Sequence, residues 1–71
     1  MEFLPEEMSQ LKSFLERTFK NDKFTVRKRG KATDSIEVLL DNEYIGLIYK
    51  IIDEGETSFS FEMAILDIDL V

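Results

Sequence analysis

The sequence predicts an α+β fold of two layers, in which an N-terminal amphipathic helix packs on a four-stranded antiparallel meander sheet. Two observations predict this fold. Apolar residues recur at helical spacing in the first 20 residues and at every second position from residue 24 onward. Short polar segments separate the alternating runs, as hairpin connections do. The 71 residues are expected to form one small domain, residues 1–71.

The helix is predicted over about residues 5–20. Pro5 suits the first helical position, where its missing N–H costs nothing. Glu6 and Glu7 then lie in the first turn, where the helix dipole favours negative charge. Asn21-Asp22 tolerates turn conformations and is expected to end the helix. The apolar positions fall within an arc of about 140° and comprise Leu4, Met8, Leu11, Phe14, Leu15 and Phe19.

The four strands are predicted at about residues 24–29, 35–40, 44–52 and 57–65. Residues 30–34 are expected to form a polar loop between the first two strands. Asp41-Asn42 and the acidic segment 53–56 are tight-turn signals. In the last strand Phe59, Phe61 and Met63 alternate with other residues, and we expect them to belong to the core.

The third strand is apolar on both faces apart from Gly46 and Lys50, so we expect it to be central in the sheet. Gly46 indicates either a bulge or the close approach of a neighbouring side chain. In this interpretation Tyr49 faces the helix, together with Ile45, Leu47 and Ile51.

The alternation changes phase near the end of the chain, because the apolar positions are odd-numbered up to Ile65 and even-numbered from Leu66. A strand cannot change faces without a bulge or a bend, so an irregularity is predicted near Ala64–Leu66. The tail, residues 66–71, then forms a short further strand or wraps across a sheet edge.

The sheet face opposite the helix is the predicted interaction site. One short helix cannot cover both faces of four strands, and an exposed apolar patch usually indicates a partner. We expect that partner to be another protein or a second copy of the chain, bound on this face or by strand addition at an edge. The predicted residues are Leu39, Tyr44, Ile48 and Ile52, with Leu66, Ile68 and Leu70 from the tail.

A basic cluster provides the alternative function. Arg27, Lys28, Arg29 and Lys31 could contact phosphates, which predicts a nucleic-acid-associated protein. However, the cluster contains no aromatic residue for base stacking, and the net charge of −6 repels a polyanion. In a simpler interpretation, these cations protect an edge strand from aggregation. The sequence therefore favours a protein partner over nucleic acid.

The composition excludes several kinds of chemistry. The chain has no Cys and no His, which removes disulfides, thiolate ligands and the most common general base, so neither an enzyme nor a cofactor is expected. Asp67 and Asp69 could bind a hard cation, although a solvated edge is the simpler interpretation and no metal is expected. The sequence has no apolar run of the roughly 20 residues that a membrane span needs, and its start is acidic, so we expect a cytoplasmic protein.

Two segments, Asp41 to Tyr49 and Ser58 to Leu70, resemble a short bacterial family of unknown function. This is the alphaproteobacterial family catalogued as domain of unknown function 3126. The resemblance covers nearly the whole chain from the Leu11–Phe19 segment onward, and Met63–Leu70 is its most specific part. It implies a free-standing cytoplasmic bacterial protein. No activity is assigned to the family, so the resemblance implies no catalytic residue.

Overall fold

The computed structural model describes residues 3–63, 65 and 67–70, without the side chains of residues 32, 68 and 69. One helix is followed by four strands that form a single antiparallel sheet in the order β1-β2-β3-β4, which confirms the predicted α+β meander. A single 3-10 turn then follows the sheet. The elements are α1 (Pro5–Phe19), β1 (Phe24–Arg29), β2 (Ala32–Leu40), β3 (Glu43–Asp53), β4 (Glu56–Glu62) and η1 (Asp67–Leu70).

Both ends of α1 are held by backbone hydrogen bonds. At the start, the N–H of Leu4 donates to Oε1 of Glu7 at 2.8 Å, which is half of a capping box. At the end, Lys20 adopts the left-handed conformation with φ of 54°, and the N–H of Asn21 donates to the carbonyl oxygen of Glu16 at 3.1 Å. This is the Schellman arrangement, which stops the helix one residue before the predicted Asn21-Asp22.

Two-residue loops connect the strands. In Asp41-Asn42 and Glu54-Gly55 both residues have positive φ, as type I′ hairpin turns require. Gly30, with φ of 43°, turns the chain between β1 and β2, so β2 begins at Ala32 and not at the predicted residue 35. All three connections are therefore too short for anything except antiparallel neighbours.

A β-bulge reverses the expected orientation of β3. Val38 is opposite Gly46, whereas Leu39 is opposite Tyr44, so Ile45 is an extra residue in β3. Beyond this bulge, Ile48 faces the helix and is only 2 % exposed. The prediction that the residues Leu47, Tyr49 and Ile51 face the helix is therefore wrong, and so is the placement of Ile48 and Ile52 on the opposite face.

Gly46 lies next to the bulge, in a position where a side chain would not fit. A Cβ atom at this position would lie 2.9 Å from the ring of Phe61 and would clash with the carbonyl oxygen of Glu62. The carbonyl oxygen of Glu62 and the ring of Phe61 therefore occupy the space that a side chain at residue 46 would need. Both signals that the sequence attached to Gly46, a bulge and a close approach, are confirmed.

The core lies between α1 and the first three strands. Each strand from β1 to β3 contributes fully buried side chains to it, and Leu15 is the buried residue of α1. Met63, which was expected in the core, lies beyond the end of β4 at Glu62 and is half-exposed. The buried cluster consists of Phe3, Leu15, Phe24, Ile36, Val38 and Ile48.

The tail contains a 3-10 turn at Asp67–Leu70 where a short strand was one of the two predicted possibilities. The predicted irregularity near residues 64–66 lies largely outside the described residues.

Ile48 and Ile52 provide a test of the register of β3, because they are identical side chains on one face of one strand. We expect Ile48→Ala to lower the free energy of unfolding by about 2–5 kcal/mol, since it leaves a cavity in the core. Ile52→Ala should cost less than about 1 kcal/mol, because Ile52 is nearly half-exposed. Urea unfolding of both variants measures the difference, and equal losses would contradict the register.

Candidate protein-docking groove

An apolar groove of about 260 Å³ lies between α1 and β4 on the helix side of the sheet. Every residue that lines it is apolar, and three of the six are phenylalanine. One side of the groove is formed by β3 and β4, and the other side is formed by the middle of α1. We call this site the α1–β4 groove; its lining residues are Leu11, Phe14, Leu15, Ile48, Phe59 and Phe61.

The groove exists because one helix is narrower than four strands. A helix with its side chains is about 10–12 Å across. Adjacent strands lie about 4.8 Å apart, so the helix covers two or three strands and leaves the fourth uncovered. Here α1 contacts β1, and its core partners are on β1, β2 and β3. The helix-side face of β4 is therefore left beside the helix rather than beneath it.

Contacts at its two ends make α1 cross the sheet diagonally. Near its start, the ring of Phe3 contacts Phe59 on β4, with ring centroids 5.8 Å apart. Near its end, Phe19 contacts Phe24 on β1, with ring centroids 5.5 Å apart. The helix therefore moves away from β4 along its length, and the α1–β4 groove opens beside Phe14.

Two aromatic side chains remain exposed at the groove. Phe14 on α1 is 52 % exposed and Phe59 on β4 is 37 % exposed. Phe59 is held from one side by Phe3, which is itself buried. Aromatic side chains with few free rotors provide a large contact area at low entropic cost, so this pair is well suited to bind an apolar group.

The outer edge of β4 borders the groove. β4 is a terminal strand, and within the described ranges no residue pairs with its outer edge. Because the turn between β3 and β4 has two residues, Asp53 and Glu56 are the first pair of residues that hydrogen-bond to each other through their backbones. Along an antiparallel strand pair, such hydrogen-bonded pairs alternate with pairs whose backbone groups point outward. Consequently the backbone N–H and C=O groups of Thr57, Phe59 and Phe61 point away from β3, toward an added strand.

The two edges of the sheet differ in charge. The central part of β4, residues 57–61, carries no charged side chain, and Glu56 and Glu62 flank it. β1, the other terminal strand, carries three consecutive cations, residues 27–29. Charged residues of this kind protect an edge from pairing with other chains. β4 is therefore the edge that is better suited to accept a further strand.

An ion pair positions the helix over β3. Nζ of Lys50 lies 2.8 Å from Oε1 of Glu7, and the Lys50 side chain is only 7 % exposed. The hydrogen bond from the N–H of Leu4 lowers the pKa of the Glu7 carboxyl group, and the hydrogen bond from Lys50 lowers it further. The ionised carboxylate of Glu7 thus stabilises both the start of α1 and its docking on the sheet.

The predicted interaction face does not form one patch. Leu39 and Tyr44 are cross-strand neighbours on the face opposite the helix, as predicted, but Leu39 is buried while Tyr44 is half-exposed. Ile48 belongs to the core and Ile52 to the helix side. In the tail, Leu70 is exposed, whereas Leu66 and the side chain of Ile68 lie outside the described residues.

The basic cluster is divided between the two faces of the sheet. Nε of Arg27 lies 2.6 Å from Oε1 of Glu37, its cross-strand neighbour. Nη1 of Arg29 donates to Oγ of the buried Ser35 at 2.8 Å. Lys28 is opposite Ile36 and thus on the helix side, and Lys31 lies in the turn. The four cations therefore do not converge on one site.

Sequence reasoning missed the α1–β4 groove because it placed Phe59 and Phe61 in the core and Phe14 on the apolar face of a helix that packs on the sheet. Phe59 and Phe61 alternate correctly for a buried face, and Phe14 lies on the apolar side of the helix. A comparison of the width of one helix with the width of a four-stranded sheet could have indicated the groove. One helix cannot cover a whole face of four strands.

Two further observations concern metals and membranes. Within residues 3–63 and the described parts of the tail, no group of three or more acidic residues is placed to hold a metal ion. Asp67 is exposed, and the side chain of Asp69 is outside the described set. Among the described helices, none combines the length and the apolar character that a membrane crossing requires.

The described residues form a small two-layer α+β domain, in which one helix packs on a four-stranded antiparallel sheet. A family model matches residues 7–69, which is most of the chain. The chain therefore belongs to the family described as protein of unknown function DUF3126, and the resemblance seen in the sequence is confirmed. No curated protein and no solved structure matches the chain.

The ion pair at Glu7 predicts how stability depends on pH. Because folding lowers the pKa of Glu7, its contribution to stability is complete above the ordinary pKa of a glutamate and is lost as the pH falls through the lowered pKa of the folded state. Glu7→Gln should therefore lower the free energy of unfolding most at neutral pH. The difference in free energy of unfolding between Glu7→Gln and the parent protein should shrink as the pH falls below the ordinary glutamate pKa.

Urea unfolding between pH 7 and pH 3 measures this gap. Glu6→Gln is the matched control, since it removes an exposed carboxylate from the same helical turn. A gap that stays constant over this range, or that is equally large for the control, would contradict the role of Glu7.

Proposed function

We propose that the chain is a non-enzymatic protein-interaction module that binds an extended segment of a partner protein along β4. The segment adds a strand to the outer edge of β4, and its alternate side chains enter the α1–β4 groove. One observation carries this proposal: the edge strand β4, which has no charged side chain over residues 57–61, directly borders an apolar groove with exposed aromatic rings.

The outer edge of β4 and the α1–β4 groove would contribute differently to recognition of the segment. In strand addition, main-chain hydrogen bonds supply affinity, and pockets for alternate side chains supply specificity. The outward-pointing backbone N–H and C=O groups of Thr57, Phe59 and Phe61 would form these hydrogen bonds. Side chains two residues apart on the added strand point to the same face, so those on the helix side would contact Phe59 and Phe14.

The β4 strand of a second copy is a poor partner for this edge. If two copies of β4 paired antiparallel about Phe59, Glu56 of each would lie opposite Glu62 of the other. Like charges directly opposite each other in a sheet are destabilising, and this arrangement makes two such pairs. The proposed partner is therefore a different segment.

Two observations favour binding over catalysis and over nucleic-acid contact. The groove is lined only by apolar side chains, so it offers no group to donate or accept a proton. Arg27 and Arg29 are engaged by Glu37 and Ser35, which reduces their availability for phosphates.

A selection of phage-displayed random heptapeptides on the folded protein tests the proposal. We expect enrichment of peptides that alternate apolar and polar residues. Thr57→Pro should weaken their binding at least tenfold, because it removes an outward N–H and places a ring at the pairing edge. Fluorescence anisotropy with labelled peptides measures the affinities.

Thr57→Val is the matched control, since it keeps the backbone N–H and the size of the side chain. It should retain the parent affinity, and circular dichroism checks that the Pro variant is folded. Equal binding to the Pro variant, or no enrichment over a selection on that variant, would overturn the proposal.

A substitution at Phe14 tests whether the α1–β4 groove contributes to peptide binding. Phe14→Asp places a charge where the segment's apolar side chains would lie, so we expect at least a tenfold loss of affinity for the selected peptides. Phe14 is half-exposed on a helix, so the variant should fold. Ser13→Asp, the same charge at the neighbouring exposed position, should change the affinity less than twofold, and equal effects of both variants would contradict a role for the groove.

A further inference from the structure

We infer that the partner segment is basic at both ends, with cations six residues apart that face Glu56 and Glu62. This inference rests on the proposed function, because it describes the segment that the β4 edge and the α1–β4 groove would receive. It follows from the register of the hairpin and from the charges along it.

Alternation places every charged side chain of β4 on one face. Glu56, Ser58, Ser60 and Glu62 share the face opposite the helix, whereas Thr57, Phe59 and Phe61 share the helix side. An added strand follows the same alternation. Its positions 2, 4 and 6 would therefore lie on the helix side with the groove, and its positions 1, 3, 5 and 7 would lie on the carboxylate side.

The carboxylates at this edge have no cationic partner within the described part of the chain. Glu56 and Glu62 are exposed, and neither forms an ion pair with a described residue. The same is true of Asp53 at the end of β3 and of Glu54 in the turn that follows. Residues 34–71 contain ten acidic side chains and a single base, Lys50, whose nearly buried ammonium group contacts Glu7. A segment bound here thus meets a negative potential at both ends.

Opposite charges directly across a strand pair stabilise the pair, and like charges destabilise it. The complementary heptapeptide therefore has Lys or Arg at positions 1 and 7, apolar residues at 2, 4 and 6, and small polar residues at 3 and 5 opposite the serines. This pattern reads the same in both directions. It consequently fits β4 whether the segment runs parallel or antiparallel.

Two labelled peptides test the inference on the full chain. One is acetyl-Lys-Val-Thr-Val-Thr-Val-Lys-amide, and the other replaces both lysines by glutamate. We expect the lysine peptide to bind about tenfold more tightly at low salt, measured by fluorescence anisotropy. At about 1 M salt, where the screening length falls to about 3 Å, the preference should largely disappear.

A charge-reversed protein provides the second arm. The double variant Glu56→Lys with Glu62→Lys should prefer the glutamate peptide. Asp34→Lys with Glu43→Lys makes the same change in net charge away from the outer edge of β4 and should leave the preference for the lysine peptide in place. An equal effect of both double variants would show a general charge effect and would overturn the inference.

The outcomes separate the inference from the proposed function. If both peptides bind equally and Thr57→Pro abolishes binding, the strand-addition site stands and the basic partner is wrong. If neither synthetic peptide binds but peptides selected by phage display do, the inference is also wrong. If the phage-display selection enriches no peptides either, the proposed function is wrong as well. Self-association in sedimentation that Arg27→Glu abolishes would make β1 of a second copy the occupant and would overturn the inference.

Discussion

The mismatch in width between one helix and four strands determines where this molecule is open. A layer of helix about 10–12 Å wide cannot cover a sheet whose four strands span about 14 Å between their axes, before side chains are counted. The core forms where α1 does cover the sheet, over β1, β2 and β3. The remaining apolar surface of β4 then lies at the side of the helix, next to an edge with free backbone groups.

The direction of the helix decides on which side this gap opens. The Glu7–Lys50 ion pair and the Phe3–Phe59 contact hold the start of α1 near β3 and β4, whereas Phe19 and Phe24 hold its end at β1. The same contacts therefore stabilise the fold and open the α1–β4 groove. A helix docked parallel to the strands over the centre of the sheet would leave two narrower gaps in place of one groove.

The sequence could predict the elements but not the facing of the central strand. The helix, the four strands and the positive-φ turn at Asp41-Asn42 follow from periodicity and turn chemistry, which are local properties. β3 is apolar on both faces, so its pattern allows either side to be inward, and a single extra residue at Ile45 decides between them. The unbulged register gives the predicted orientation, with Leu47 toward the helix, whereas the bulge brings Ile48 there.

The residues that line the groove could not be predicted, for a different reason. Its walls come from positions far apart in the sequence, and each of them is individually consistent with a core. Only the relative placement of layers makes Phe14 and Phe59 half-exposed while Leu15 and Ile48 are buried. The pattern of a sequence indicates which side chains are apolar, but the extent of their burial depends on how wide the covering layer is.

The charges at the two edges would connect the folding of the sheet with the proposed binding. An uncharged edge strand beside an apolar groove is a liability for aggregation, and acidic residues that flank such a segment oppose its self-pairing. Glu56 and Glu62 occupy these flanking positions on β4, while three cations protect β1. The two carboxylates that disfavour pairing between copies of β4 would attract a segment with opposite charges at the same spacing. In this fold, protection from the wrong partner and selection of the right one can therefore depend on the same two side chains.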